Sequence, residues 1–267
     1  MKKVFSDLKG KTVLITGASS GLGEQIAYES ARGGAQVILC ARREEKLIEI
    51  TKECSNLSQL PCDYFSLDIS NFEDVERKLN LIETRYPEID VLVNCAGYGH
   101  FELFLDSDFN ETIDMFQVNV LGLIYVTQKI GLMMAKKNKG HIINIASQAG
   151  KMATPKSSIY AATKFAVIGF SNSLRLEMKP LGISVTTVNP GPIKTSFFDI
   201  ADPDGTYLDS VGRWVLNSES LAKKIVSSMG TYRREINAPF VMEIGSKAYQ
   251  LFPHIGDFLA TNFFDKK

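Results

Sequence analysis

Neither sign of charge is in excess in this sequence. Lysine plus arginine and aspartate plus glutamate number 30 each over 267 residues, so no broad basic field draws the chain to nucleic acid or an anionic membrane. A local basic pocket is compatible with that balance. The opening MKKVFSDLKGKTV lacks a long apolar stretch, which argues against a secretory signal. The longest candidate for a membrane span, Val120 to Ala135, is too short and carries Gln128 and Lys129. The four cysteines, Cys40, Cys54, Cys62 and Cys95, lack zinc-ligand spacing and read as reduced, mostly buried thiols. Asn56-Leu57-Ser58 and Asn110-Glu111-Thr112 match the glycosylation pattern, and without secretion they carry no weight. These absences predict a cytoplasmic protein with no nucleic-acid partner and no transmembrane segment.

What is present is ordinary in amount and informative in order. At 45% hydrophobic and 22% charged residues, the chain is long enough for one large α/β domain with a sizeable core. No repeat, low-complexity segment or boundary divides it. Short apolar runs predict strands at Lys11 to Gly17, Gln36 to Ala41, Pro61 to Leu67, Asp90 to Asn94, His141 to Ala146, Ile183 to Asn189 and Phe240 to Ile244. Helical spacing lies between them, with Leu47 and Ile50 on one face and Val75, Leu79 and Ile82 on another. Ser70-Asn71-Phe72-Glu73 reads as a capping box for the latter helix. Seven strands alternating with helices predict a parallel, doubly wound sheet with helices on both faces.

The first strand runs into Thr16-Gly17-Ala18-Ser19-Ser20-Gly21-Leu22-Gly23 and then a helix. Glycines admit a close backbone approach, and a helix N-terminus offers free N–H groups and a positive dipole end, so this turn suits a phosphate. Its Gly-x-x-x-Gly-x-Gly spacing differs from the usual dinucleotide fingerprint. The second strand ends in Ala41-Arg42-Arg43, with no acid before Glu44. An arginine there accommodates a 2′-phosphate where an acid would bind a 2′-hydroxyl, which favours NADP(H) over NAD(H). Asp68 and Asn94 fall just after strand ends, the edge where parallel sheets bind ligands.

Glu111 to Lys137 reads as one long helix with Ile113, Phe116, Val120 and Ile124 on one face, interrupted by Asn119. A buried asparagine needs partners, so Asn119 is either a satisfied structural group or part of a proton path. The next strand ends at Ser147, and the helix behind it carries Tyr160 and Lys164. Four positions apart, those two share a helix face. A free tyrosine ionises near about 10, and a neighbouring cation favours its phenolate. Bringing ionisation to neutrality takes roughly 4 kcal/mol, and such a phenol suits general acid-base catalysis. Tyr125 and Lys129 repeat the spacing with no strand before them and read as helix surface. Ser196 to Asn217 has aromatics, Phe197, Phe198, Tyr207 and Trp214, but no clean period. A segment of that kind is a lid or binding loop, or an oligomer contact. The tail, 246–267, is too apolar to float free, with Tyr249, Leu251, Phe252, Phe258, Phe263 and Phe264. It is expected to pack on the body, on a second subunit or weakly on a membrane.

In order and spacing, the glycine loop, Asp68, Asn94-Cys95-Ala96-Gly97, Asn119, Ser147 with Tyr160 and Lys164, and Pro190-Gly191 resemble the short-chain dehydrogenase/reductase family over nearly the whole chain. Cys95 departs from it, since the family more often has a second asparagine there. The resemblance implies a single Rossmann-type domain with sheet order 3-2-1-4-5-6-7 and a homodimer or homotetramer. It implies Tyr160 as proton donor or base, Lys164 holding the nicotinamide ribose and lowering the tyrosine pKa, Ser147 on the substrate oxygen, and Asn119 anchoring a relay water. Gly17, Ser19, Gly21, Leu22 and Gly23 would line the pyrophosphate and adenosine path, and Arg42 would take the 2′-phosphate. Asp68 would face the adenine, Asn94 and Gly97 the ribose, and Ile193 with Thr195 the carboxamide. Ser20, Arg43, Ile69, Ala96, Pro190 and Gly191 complete the implied cofactor set. The activity implied is NADP(H)-dependent interconversion of a carbonyl and an alcohol on an apolar small molecule. Two rivals are a 3-oxoacyl thioester reductase, with Lys136, Lys137 and Lys139 docking an acyl carrier, and a non-catalytic NADP(H)-binding redox sensor.

Overall fold

The computed structural model describes residues 4–202, 205 and 212–264. Its seven strands are β1 (Thr12–Thr16), β2 (Gln36–Ala41), β3 (Asp63–Ser66), β4 (Val91–Asn94), β5 (Gly140–Ile145), β6 (Ile183–Pro190) and β7 (Glu235–Ala238). They form one sheet in the order β3-β2-β1-β4-β5-β6-β7, and every pairing is parallel. The order expected from the resemblance is therefore the order observed.

Successive strand residues face opposite sides, so these apolar runs feed two cores. Val13, Ile15, Val37, Leu39, Val93 and Ile143 pack with helices α1 (Gly21–Arg32) and α2 (Glu44–Ser58) on one side. Leu14, Ile38, Leu92 and Ile142 pack with α3 (Phe72–Arg85) on the other. Each fully buried aliphatic side chain contributes about 2 kcal/mol, and loss of strand alternation would expose both sets at once. The predicted faces of α2 and α3 are the ones buried: Leu47 and Ile50, then Val75, Leu79 and Ile82.

Three expectations are corrected. The seventh strand is Glu235–Ala238, and Phe240–Leu251 is a helix that starts directly after Pro239. Its buried residues, Glu243 and Ser246, follow helical spacing, and the run Phe240 to Ile244 is too short for periodicity to separate the two states. The cap of α3 is Asn71, whose side chain accepts from Asp74 N–H at 3.0 Å, in place of the Ser70–Glu73 box. The long helix is continuous from Phe109 to Lys137 but changes winding, as α4 (Phe109–Phe116), a π turn (Gln117–Gly122) and α5 (Leu123–Lys137). The wider turn rotates the face: Ile113 is 50% exposed, while Met115, Asn119, Leu123, Val126 and Ile130 are buried. By length and composition this run qualifies as a membrane span, but α5 supplies Val126 and Ile130 to the core.

Among the described residues the remaining α-helices are α6 (Ser158–Met178), α7 (Phe198–Ala201), α8 (Ser218–Val226), α9 (Phe240–Leu251) and α10 (Pro253–Phe264). The tail is thus a helical hairpin, tied by the Tyr249 hydroxyl donating to Asp257 at 2.7 Å. Leu251, Phe252, Ile255 and Phe258 on it remain exposed. Of the expected binding segment, Phe197, α7 and Trp214 fall among the described residues, and Tyr207 lies outside them. Tyr125 and Lys129 both engage Glu76, as a surface pair should. The cysteines are free thiols, with Cys40 and Cys54 buried and Cys62 and Cys95 half-buried.

Candidate active site

The glycine turn, Arg42-Arg43, Asp68, Asn94 to Gly97, Ser147 and Pro190-Gly191 lie at or just beyond the C-terminal ends of strands, while Asn119, Tyr160 and Lys164 are carried by helices. The turn after β1 is shaped by contacts that no side chain would allow. Gly17 has φ +68, and a Cβ on it would lie 2.6 Å from the Ala96 backbone. Gly21 has φ +58 and faces Thr195, whose Cβ would lie 3.1 Å from an added methyl. A Cβ on Gly23 would run into the Gly17 carbonyl. Ser20 precedes α1 in an extended conformation with no side-chain cap bond, so the first-turn N–H groups of a twelve-residue helix are open to an anion.

Arg43, and not Arg42, reaches this turn. Its Nε donates to Ser19 Oγ at 3.2 Å, and Nη2 donates to Ser19 Oγ at 3.1 Å and Ser20 Oγ at 2.5 Å. Arg42 lies toward Tyr98, where its charge opposes the rise that burial and Glu111 impose on the phenol pKa. Position 42 and position 43 are indistinguishable by spacing; the path of the chain out of β2 separates them.

Asn119 sits in the π turn, 1% exposed. Its Oδ1 accepts from Tyr98 N–H at 3.0 Å, and its Nδ2 donates to Tyr98 O at 2.8 Å and Thr163 Oγ1 at 3.2 Å. It therefore joins the turn after β4 to α6 and has its amide fully partnered. A Cβ on Gly97 would lie 2.9 Å from Asn119 Oδ1 and 3.6 Å from Lys164 Nζ, so glycine is what lets these groups meet. The Asn94 amide points into the core, donating to Thr127 Oγ1 and Asn144 Oδ1 at 2.8 Å each. Asp68 accepts from Ser70 N–H at 3.0 Å and Ser70 Oγ at 2.6 Å, and Ile69 packs under Gly122 of the π turn.

Tyr160 and Lys164 come together, and the turn headed by Ser147 lies against the helix that carries them. Lys164 Nζ donates to Ile145 O at 3.3 Å and stands 5.6 Å from the Tyr160 ring centre. The turn headed by Ser147 presses on the same helix, since a Cβ on Gly150 would lie 2.8 Å from the Lys164 backbone. Ser147 Oγ accepts from Ala149 N–H at 3.1 Å and donates to Pro190 O at 3.5 Å. Burial pulls the Lys164 pKa down to about 8, with Cys95 acting the other way. Lys164 is 6% exposed, and Ile145 O is the one hydrogen-bond partner of its ammonium among the described residues. An ionisable phenol beside a buried cation, with a serine hydroxyl at the neighbouring strand end, is equipment for moving a proton to or from an oxygen.

Two contributors had no legible signal in the sequence. Phe101 stacks edge-on against Tyr160 at 5.6 Å and meets Phe197 at 6.4 Å and Phe198 at 6.3 Å. Gly99 makes room for this, because a Cβ there would lie 2.9 Å from Phe197 and 3.0 Å from Tyr160. The loop carrying them is fastened by Phe101 N–H to Ala201 O at 3.0 Å and Glu102 N–H to Lys156 O at 2.9 Å. Nothing in the pattern marked Phe101 or Gly99.

The short chain dehydrogenase model matches residues 11–204, and the chain belongs to that family. Over 193 residues it is 39% identical to an 11-beta-hydroxysteroid dehydrogenase-like protein, 4A, of Arabidopsis thaliana, covering 72% of this chain and 64% of that one. The match thus spans under two thirds of the plant protein's length. It is 34% identical over 195 residues to an NADP-dependent 3-hydroxy acid dehydrogenase of Schizosaccharomyces pombe, covering 72% and 75% of the two chains. Among solved structures, an alcohol dehydrogenase from Thermococcus sibiricus complexed with 5-hydroxy-NADP superposes with a TM-score of 0.77. The identity there is 25%, over 86% of this chain and 96% of that one.

Proposed function

We propose that the protein is an NADP(H)-dependent reductase that interconverts an apolar ketone or aldehyde with its alcohol. The observation that carries this is the buried Lys164 ammonium beside Tyr160, since a charge taken out of water with so few partners is poised for a ligand. NADP(H) fits the residues present. The glycine turn and the open N-terminus of α1 suit the pyrophosphate, and the Arg43 guanidinium on Ser19 and Ser20 suits a 2′-phosphate. The names of the fission-yeast relative and of the archaeal complex support the same choice. When bound, the cofactor supplies the hydride.

The chain's own residues do the rest. Lys164 binds ribose hydroxyls and favours the ionised form of Tyr160. Ser147 Oγ holds the carbonyl oxygen, and Tyr160 hands its hydroxyl proton to that oxygen in reduction and takes it back in oxidation. Asn119 fixes the turn after β4 against α6. Asp68, Ile69, Ala96, Gly97, Pro190, Gly191, Ile193 and Thr195 line the cofactor's path in this reading, and Phe101, Phe197 and Phe198 form an apolar wall beside Tyr160. A free ketone is favoured over a carrier-borne thioester, because Lys136 pairs with Glu83 at 2.8 Å and Lys139 with Asp90 at 3.3 Å. Exposed Phe104, Leu105 and Phe109 support a homodimer or homotetramer. Tyr160→Phe is expected to lower kcat by at least about 100-fold with NADPH affinity retained, read by NADPH consumption and by fluorescence titration. Near-full activity in that variant would end the proposal.

A further inference from the structure

Ser147 heads one tight turn, closed by Gly150 N–H to Ser147 O at 3.0 Å and Lys151 N–H to Gln148 O at 2.9 Å. Three anchors hold that turn. On α6 it rests through Gly150, as described. On β6 it is tied by Gln148 Nε2 donating to Asn189 O at 2.9 Å. The third anchor is Lys151, whose side chain is 12% exposed. Its ammonium donates to Glu235 Oε2 at 2.7 Å and Asn237 Oδ1 at 3.0 Å on β7, and to Glu243 Oε2 at 2.9 Å on α9.

An ammonium has three protons, and all three are engaged. Glu235 Oε2 also accepts from Asn189 Nδ2 at 3.4 Å, and Glu243 Oε1 faces Lys247 at 3.2 Å. The pairs on both sides of Lys151 are thus themselves fixed. The same helix reaches the end of β6, where a Cβ on Gly191 would lie 2.6 Å from Met242 Sδ. No proton-transfer step uses this cluster, yet it joins the serine turn to the edge strand and to the base of the C-terminal hairpin.

We infer that Lys151 is a positioning residue: it clamps the Ser147 turn onto β7 and α9 and so sets where the serine hydroxyl stands. This rests on the reading of Ser147 as the group that holds the carbonyl oxygen. Displacement of such a group by an ångström costs rate and leaves ground-state binding nearly untouched. Lys151→Met removes the cation that Glu235 and Glu243 share, leaving Arg234 on the one and Lys247 on the other, and Glu243→Gln removes one charge from the α9 side alone.

The experiment places both substitutions in the full chain, each alone and on a Ser147→Ala background. For Lys151→Met, kcat is expected to fall by about tenfold or more, with KM and NADPH affinity within about twofold. On Ser147→Ala the further fall in residual turnover is under about twofold, because the clamp acts through that hydroxyl. Amide hydrogen exchange over 148–152 accelerates by about tenfold or more in both single variants, with β4 and β5 unchanged. Exchange needs no turnover, so it decides the clamp even if the unaltered chain reduces no ketone, a result that would sink the reductase reading alone. Unchanged exchange over 148–152, or an equal loss of kcat with and without Ser147, overturns the proposal. Should Lys151→Met fail to fold, Glu243→Gln carries the same two readouts.

Discussion

A buried ammonium is expensive, and Lys164 is held in place by α6 all the same. Burial lowers its pKa to about 8, so it is charged at neutral pH and loses its proton as pH rises through that value. The folded protein bears the cost of that charge below pH 8, which fits a residue kept for a ligand more than for stability. Arg43 is cheaper, being exposed, and its worth lies in direction. We expect Arg43→Ala to weaken NADPH by about 10- to 100-fold and NADH by less than about threefold, the loss of one charge-assisted contact. Arg42→Ala is expected to fall well short of that difference. Titration of both cofactors against both variants decides it, and equal losses for NADPH and NADH remove the 2′-phosphate from Arg43.

At the scale of elements, the π turn Gln117–Gly122 does what a regular helix would not. A wider turn brings Asn119 inward to bond Tyr98 and Thr163 and swings Ile113 out to solvent. Such single turns are costly and recur at functional sites. Gly122 seats the turn, since a Cβ there would lie 2.5 Å from Ile69 O, a backbone atom with no rotamer to escape into. Gly122→Ala is therefore expected to cost about 1–3 kcal/mol of stability, read from urea midpoints at constant slope. A midpoint unchanged from the parent chain would show that the turn has slack. The sequence marked Asn119 as a polar break in an apolar face and placed Val120 correctly on the buried side, but put Ile113 there as well. Winding is set by tertiary partners, and a single 3.6-residue period has no room for an inserted residue.

For the whole molecule, one titrating group crosses the sheet. His141 is fully buried at the start of β5, its Nδ1 accepting from Gly230 N–H at 3.0 Å and its Nε2 lying 2.8 Å from Thr186 Oγ1 on β6. Burial depresses its pKa from 6.5 to about 3. Because the folded value is the lower one, the neutral ring stabilises the fold fully above pH 6.5. That contribution drains away as pH falls toward 3, by roughly 5 kcal/mol in all. His141→Gln lacks this titration. The stability gap between the parent chain and His141→Gln, measured by denaturant at pH 7.5 and at pH 4.5, is expected to narrow in acid. A gap that stays constant would falsify the assignment.

The glycine turn, the serine strand end, the Tyr160–Lys164 spacing and the alternation of strands with helices were legible because each is local. Backbone conformation, strand burial and one-turn side-chain neighbours are written within a few residues. What only the tertiary structure decided are contacts between segments far apart in the chain: Arg43 over Arg42, the Asn94 amide turned to Asn144, Phe101 against Tyr160, and Lys151 held by Glu235 and Glu243. Those depend on which loops meet at the sheet's edge, and the periodicity of a segment carries no information about the surface it will face. The seventh strand was displaced for a related reason. Phe240 to Ile244 is as apolar as a strand, and only a sheet whose register beside β6 was already filled by Glu235–Ala238 made it a helix.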